Sequence, residues 1–357
     1  MISRFDMLYR SFRGEILAIP GRAIAVVFGL LLLSIPVITQ DPYLIGVLIM
    51  TNIYVIYAAA WDLLSGFTGQ MNLGHAFSFG VAAYAAALLN IHLGLAPWAT
   101  IPIAGVLAAL AGTLLSLPAL KLRGPFLALV TLAFPLIATG LVYVFGDFTG
   151  AELGVSGISP LFDSCILDYY IVLAIMIVSL VVMWKLTDSG AKIVRTGIIF
   201  RAIREDEIAA RASGVNTTKY KVLAFAISGV FAGIAGGLYA HSIQVVGPST
   251  LELLLSFQAI IWTVFGGIGT IYGPVVGVYI LYPALQFLGS FAQYRMLIFA
   301  VLIILILLFM PIGIGAWVRD KIEKTCPRCR LVNATTRKYC RGCGAILEPE
   351  KVKIDKT

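Results

Sequence analysis

The feature that most limits the fold is a succession of continuous apolar runs, each near the roughly 20 residues that a helix needs to cross a bilayer. Inside lipid every backbone N–H and C=O must be satisfied within the segment or by a closed neighbour, which leaves helices or barrels. Short alternating strands, the mark of a membrane barrel, are absent from the pattern. The chain therefore predicts an all-α, polytopic transmembrane helical bundle. Ten runs stand at 23–39, 43–64, 76–91, 98–117, 126–145, 166–184, 222–240, 253–265, 274–288 and 296–310. The thirteen-residue run 253–265 and the glycine-rich stretch 66–75 could each be re-entrant, so the expectation is about 8–10 spans. Composition agrees: only 12% of the 357 residues are charged, where soluble domains hold about a quarter. The 35 glycines let helix backbones approach closely where lipid removes the hydrophobic drive.

The net charge of +8 is explained by placement rather than by an affinity for nucleic acid. With a cytoplasmic N-terminus, the inner segments hold four basic residues before the first run, Lys121 and Arg123, eight between Lys185 and Lys221, and eleven from Arg319 onward. Of the 26 basic residues only Arg295 falls outside, while Asp41, Asp147, Glu152, Asp163, Asp168 and Glu252 all do, which is the positive-inside pattern. The division is then a cytoplasmic segment 1–22, a transmembrane domain 23–315 with a cytoplasmic loop 185–221, and a cytoplasmic tail 316–357. No small-x-small site follows the first run, so it predicts an uncleaved anchor.

Within the loop, 195–216 reads RTGIIFRAIREDEIAARASGVN, a charged and helix-favouring island that lipid would not tolerate. Glu207 and Arg211 stand at i,i+4 with the acid first, and Gly214 lies where a left-handed cap would end a helix. One short helix is expected, packing Ile199, Ile203 and Ala210 while Arg201, Glu205 and Arg211 face a partner or water. Either it docks a soluble partner or it is a solvated connector.

At 66–80 the sequence GFTGQMNLGHAFSFG puts glycines and polar groups at membrane depth or its edge. Gln70, Asn72 and His75 are candidates to line or gate a path for a polar solute. Alternatively, each satisfies backbone freed by a broken helix, or caps the next one. His92 and His241 read as interfacial, and Cys165 as an ordinary buried cysteine.

No G-x-x-x-x-G-K-[ST] loop is present, so the chain does not bind ATP in the usual way, and no catalytic constellation emerges. A secondary transporter would want ionisable groups inside its spans. Asp62 is the only carboxylate there, which favours a transport subunit, not an enzyme, driven from elsewhere.

The tail carries Cys326-Pro-Arg-Cys329 and Cys340-Arg-Gly-Cys343. Two such knuckles bring four thiolates to one tetrahedral zinc, and Gly342 and Gly344 permit the closing turn. The pattern resembles a zinc ribbon in which a structural metal supplies the folding free energy of a nearly coreless segment. Disulfides or free thiols are the alternative, and a reducing cytoplasm disfavours disulfides. Full occupancy by four cysteines leaves no catalytic position.

The blocks GFTGQMNLGHAFSFGVAAYAAALL from 66, LRGPFLALVTLAF at 122–134, TGAELG at 149–154, the island at 201–216, KVLAF at 221–225, AGIAGGLYA at 232–240 and VFGGIGTIYGP at 264–274 occur in one order. Together they resemble the M-type (LivM-like) permease subunits of branched-chain amino acid ABC transporters. Ala151 stands where that family usually has glycine, and 192–200 departs from its usual lead-in. The resemblance implies partnership with two ABC ATPase subunits, a second homologous permease and an extracytoplasmic solute-binding protein, in a prokaryotic plasma membrane. Beside that resemblance the charged island is the candidate for ATPase coupling, through Arg201, Arg204, Glu205, Glu207, Arg211 and Gly214, and the stretch around Gln70, Asn72 and His75 the candidate translocation path. Urea and short-amide importers use similar permeases. A zinc-ribbon membrane sensor or scaffold that transports nothing is the reading from another class, and the tail is not part of the family's usual pattern.

Overall fold

The computed structural model describes residues 20–120, 122, 124–188, 196–287, 297, 300–301, 304, 308, 313–329, 332–340 and 343–347. The apolar run 296–310, the basic pair Lys121 and Arg123, the lead-in before Thr196, and Gly342 lie wholly or mostly outside them. Two compact units emerge, residues 40–314 and a second drawn from 1–39 and 315–357.

In the first unit, apolar sequence becomes helix wherever a capping group or a proline marks a start. Asp41 accepts from the Tyr43 amide (3.0 Å) and Pro42 opens α2 (Pro42–Trp61), while Pro97 and Pro125 open α4 (Pro97–Ala119) and α5 (Pro125–Val144). Between them α3 (Ala76–Leu93) ends on Gly94 at φ 63°. A short α6 (Gly146–Thr149) precedes α7 (Cys165–Thr187). Then come α8 (Thr196–Glu205), α9 (Glu207–Ala212), α10 (Thr217–Ile243), α11 (Leu253–Gly266) and α12 (Tyr272–Phe287). The second unit holds α1 (Pro20–Ile38) and most of α13 (Ile314–Ile322).

Six helices among the described residues are long and apolar enough to cross a membrane, from α2 with its continuation (Pro42–Gly66) through α10; the apolar part of α1 (Ala23–Ile38) and α11 are shorter. At about 1.5 Å per residue α11 is about 21 Å long, short of the roughly 30 Å hydrocarbon core. The molecule is thus the all-α membrane bundle that the runs predict.

Glycine sets the packing. Gly229, Gly233 and Gly237 of α10 lie against Ala109, Gly105 and Ile101 of α4; as one number rises by four the other falls by four, so the two helices run antiparallel with backbones nearly touching. Gly236 abuts the Phe79 carbonyl of α3, where a Cβ would overlap it. Gly277 meets the Trp262 carbonyl and Gly266 that of Gly273, which makes α11 and α12 an antiparallel hairpin. α2 is the most enclosed span, with nearly every residue from Ile53 to Leu64 buried, while α7 is the least. Outside the helices, Val155–Ser156 (β1) pairs antiparallel with Val245–Val246 (β2).

His241 is buried, not interfacial: Nδ1 donates to the Ser159 carbonyl (2.8 Å) and Nε2 meets the Thr100 hydroxyl (2.7 Å). Close packing of α10 on α4 places the ring inside. Cys165 is exposed rather than buried, because it is the first residue of α7, where the chain enters the helix from a loop.

Candidate functional site

The end of α2 is where the regular fold gives way. Its last turn widens into a π-turn, Asp62–Gly66, one further turn follows at Phe67 and Thr68, and residues 69–74 leave helical geometry with Gly69 at φ 71°. The freed backbone is satisfied almost entirely by side chains. The Thr68 hydroxyl donates to the Leu64 carbonyl (2.5 Å), and Ser65 Oγ donates to the Gln70 carbonyl (2.9 Å) while accepting from the Asn72 amide (3.2 Å). Trp61 Nε1 donates to the Asn72 carbonyl (2.7 Å), Thr131 accepts from the Leu73 amide (3.0 Å), and Ser256 accepts from the Ala76 amide (2.8 Å). Buried backbone without water demands such partners, so the loop's shape is dictated by this set of short polar side chains.

Gln70, Asn72 and His75 are all brought into this region, and all are buried. Asn72 Oδ1 accepts from the Gly74 amide (2.9 Å). His75 stacks on Tyr57 with ring centroids 4.6 Å apart and its Nε2 donates to the Tyr57 carbonyl (3.1 Å). Both do structural work in this conformation. Gln70 differs: Nε2 donates to Thr68 (2.9 Å), but Oε1 has no hydrogen-bond partner among the described residues. It borders a cavity of about 80 Å³ lined also by Thr68, Leu127, Arg204, Glu207 and Lys221. Asp62 is fully buried and accepts from the Gly269 amide (2.7 Å), tying the α11–α12 turn to the π-turn.

The charged island is two helices rather than one. Asp206 is extended (φ −154°) and its carboxylate accepts from the amides of Ile208 (2.8 Å) and Ala209 (3.0 Å), so it caps α9 and breaks α8 from it. At the far end Gly214, at φ 86°, donates to the Arg211 carbonyl (3.0 Å) and the Val215 amide to that of Ala210 (3.1 Å), which is a Schellman cap. Phe200, Ile203 and Ala210 are buried, and Ile199 is half-buried.

The island's charges divide between inward and outward roles. Glu207 pairs with Arg211 at i,i+4 (3.0 Å) and with the buried Lys221 of α10 (2.6 Å), and it also accepts from Thr217 (3.3 Å). Arg204 Nη1 donates to the Gly66 carbonyl (2.5 Å). Arg201 lies 5.7 Å over the Phe67 ring. Glu205 and Arg211 are exposed, as is Ile208 at 65%, a large apolar side chain unaccounted for by internal packing. Sequence reasoning missed Lys221, Ser65 and Thr68. Ser65 and Thr68 carry a usable signal, short hydroxyls flanking a glycine break; Lys221, fourteen residues from Glu207, carries none.

In the tail, β3 (Glu323–Thr325) and β4 (Val332–Ala334) pair antiparallel and present the first knuckle between them. The second closes through Gly344 at φ 69° and the Tyr339–Ile346 bridge. Cys326 and Cys343 sulfurs are 3.6 Å apart, Cys329 and Cys340 3.4 Å, and all four lie within 4.8 Å of one another. A disulfide needs about 2.05 Å, whereas thiolates held about 2.3 Å from a tetrahedral ion are about 3.8 Å apart. The four residues therefore fit a metal ion, and the cysteines are unbridged. The backbone amide of Cys329 holds the Cys326 thiol below its ordinary value, which favours the thiolate that a metal requires. The buried Asn333 donates to the Cys340 sulfur (3.5 Å).

Comparison with known proteins gives a consistent result. A family model described as "Branched-chain amino acid transport system / permease component" matches residues 43–308. The high-affinity branched-chain amino acid transport system permease protein LivM of Salmonella typhimurium is 31% identical over 303 residues, covering 77% of this chain and 70% of the relative, and its Escherichia coli K12 counterpart matches equally. A probable branched-chain amino acid transport permease protein LivH of Methanocaldococcus jannaschii is 27% identical over 286 residues, covering 75% and 90%. No solved structure matches significantly.

Proposed function

Because this chain belongs to the family of branched-chain amino acid transport permease components, as a LivM-like member, we propose that it forms the translocation pathway of an ATP-driven importer for branched-chain or related amino acids. Its membrane-spanning helices and its lack of a phosphate loop make it a transport subunit whose energy comes from outside. Two ABC ATPases, a second permease and an extracytoplasmic binding protein complete the assembly. The chain lies in a prokaryotic plasma membrane with both termini cytoplasmic, as the distribution of basic residues argues. The single observation that carries the reading is the family match across 43–308, over which the polar break after α2 adjoins the charged island.

The ATPases dock on the outward side of the island, Arg201, Glu205, Ile208 and Arg211, with Gly214 closing the platform. Arg204 and Glu207 act one step inside, fastening the platform to α2 and α10. Ile208→Asp combined with Glu205→Arg is expected to abolish co-purification of the ATPases while the permease remains folded; ATPases that still co-purify would rule out this face. Reconstitution with the ATPases, sister permease and binding protein should give ATP-dependent uptake of radiolabelled leucine. Uptake of urea in place of any branched-chain amino acid would overturn the substrate class.

The tail takes one zinc ion through Cys326, Cys329, Cys340 and Cys343. Bound there, zinc supplies cross-linking alone, because four thiolates fill its coordination sphere.

A further inference from the structure

The carbonyls at the end of a membrane helix have no partner within the helix, and each must find one. At the end of α2, the Leu64 carbonyl takes the Phe67 amide and the Thr68 hydroxyl from the turn that follows it, but the Gly66 carbonyl takes Arg204, which arrives from the last turn of α8, 138 residues away. A cation at that end also meets the negative pole of the helix. The guanidinium runs between two glycines in left-handed conformation. A Cβ on Gly69 (φ 71°) would lie 3.2 Å from Arg204 Cγ, and one on Gly269 (φ 75°) 2.6 Å from Nη1. The positive φ at both positions favours glycine, and a Cβ at either would crowd the guanidinium arm. Asp62, at the first position of the π-turn, holds the Gly269 amide and draws the α11–α12 turn into the same cluster.

Three residues further on, across the break at Asp206, Glu207 grips Lys221 and Thr217 at the start of α10. Besides the hydrogen bond from Thr196 to the Leu186 carbonyl at the start of α8, the island's charges thus fasten it on opposite sides of its break, to the end of α2 and to the beginning of α10. The cavity with the unpartnered Gln70 Oε1 lies between those points.

We propose that Arg204 is a latch: its hydrogen bond to the Gly66 carbonyl fixes residues 67–75, and displacement of the island withdraws it and releases that stretch to open the pathway. The proposal rests on the import reading, in which an ATPase moves the island. A guanidinium is suited to the task because its donors are fixed in a plane and its charge is permanent, so the contact is made or lost by position alone. The Glu207 to Lys221 pair makes the motion directional: with α9 held to α10, tilting α8 about Asp206 pulls at Gly66 first.

The test uses the full chain, purified and in its reconstituted complex, comparing wild type with Arg204→Met, Arg204→Lys and Gly269→Ala. Amide hydrogen exchange reads the latch itself. Arg204→Met should speed exchange at 67–74 by about tenfold or more while the α10 amides around 229–237 stay unchanged. In the complex, ATP hydrolysis should persist while leucine taken up per ATP falls by about tenfold, with Arg204→Lys intermediate. Should Arg204→Met yield no protein, Gly269→Ala, which crowds the guanidinium with a single methyl, carries the same readouts. Unchanged exchange at 67–74 overturns the latch. Faster exchange with undiminished uptake per ATP also overturns it, reducing Arg204 to a static cap and leaving the import reading intact. A wild-type complex without uptake overturns the import reading, and the coupling role of the latch with it, even where the exchange result holds.

Discussion

The break between α2 and α3 and the cysteine tail are both short, irregular lengths of backbone, yet they are held by opposite means. The break is surrounded by helices, and its peptide groups are satisfied one by one by Ser65, Thr68, Asn72, Thr131 and Ser256. Among the described residues from 321 onward the buried ones are Cys326, Asn333 and Cys340, and the four sulfurs converge on one point. Irregular backbone inside a bundle borrows rigidity from its neighbours, whereas a segment with little core of its own must import it. Damage in the first should therefore be graded and local, and damage in the second all or none.

The largest expected effect is in the tail. Cys326→Ser with Cys340→Ser, or a strong chelator, should remove stoichiometric zinc and the tail's resistance to proteolysis together, since such sites contribute about 10–16 kcal/mol of apparent binding energy. Hydrogen exchange in α2 and α10 should not change. Loss of protection in both would erase the contrast.

In the bundle, Gly236→Val drives a side chain into the Phe79 carbonyl and should cost about 3 kcal/mol, read as a lowered melting temperature in detergent with zinc content intact. His75→Ala leaves the Tyr57 carbonyl without its donor and removes the ring stacked on Tyr57, for about 2 kcal/mol. The matching His92→Ala, at an exposed helix end, should move stability by less than about 0.5 kcal/mol. Equal losses at the two histidines would mean that burial is not what separates them. The smallest effect has the opposite sign: Ala151 sits at φ 48° beside Gly150, so Ala151→Gly should stabilise the loop before β1 by about 0.5 kcal/mol, seen as slower exchange around β1 and β2.

Much of this was legible in the sequence because it depends on local pattern. Apolar run length sets the helices, Asp41 with Pro42 and Gly94 mark their ends, and Gly214 stops the island at the expected residue. The Cys-x-x-Cys pairs announce a tetrahedral cluster because two knuckles of that spacing have few other ways to converge. The Asp206 break was legible in principle, an aspartate followed by a fresh helical start, but the surrounding run of charges hid it.

What the sequence determined by itself is therefore the membrane class, most of the long helices, the kinship and a set of four cysteines that could hold a metal ion, all of which rest on pattern along the chain. What only the tertiary structure decided is how the charges are spent. Arg204 and Glu207 look like surface charges beside Arg201 and Glu205, yet one reaches the Gly66 carbonyl and the other a buried Lys221, 138 and 14 residues distant. The physical reason is that a backbone carbonyl left unpaired by a π-turn, or a lysine carried inward at the start of a helix, becomes a partner only after the spans have packed. No spacing along the sequence encodes that meeting.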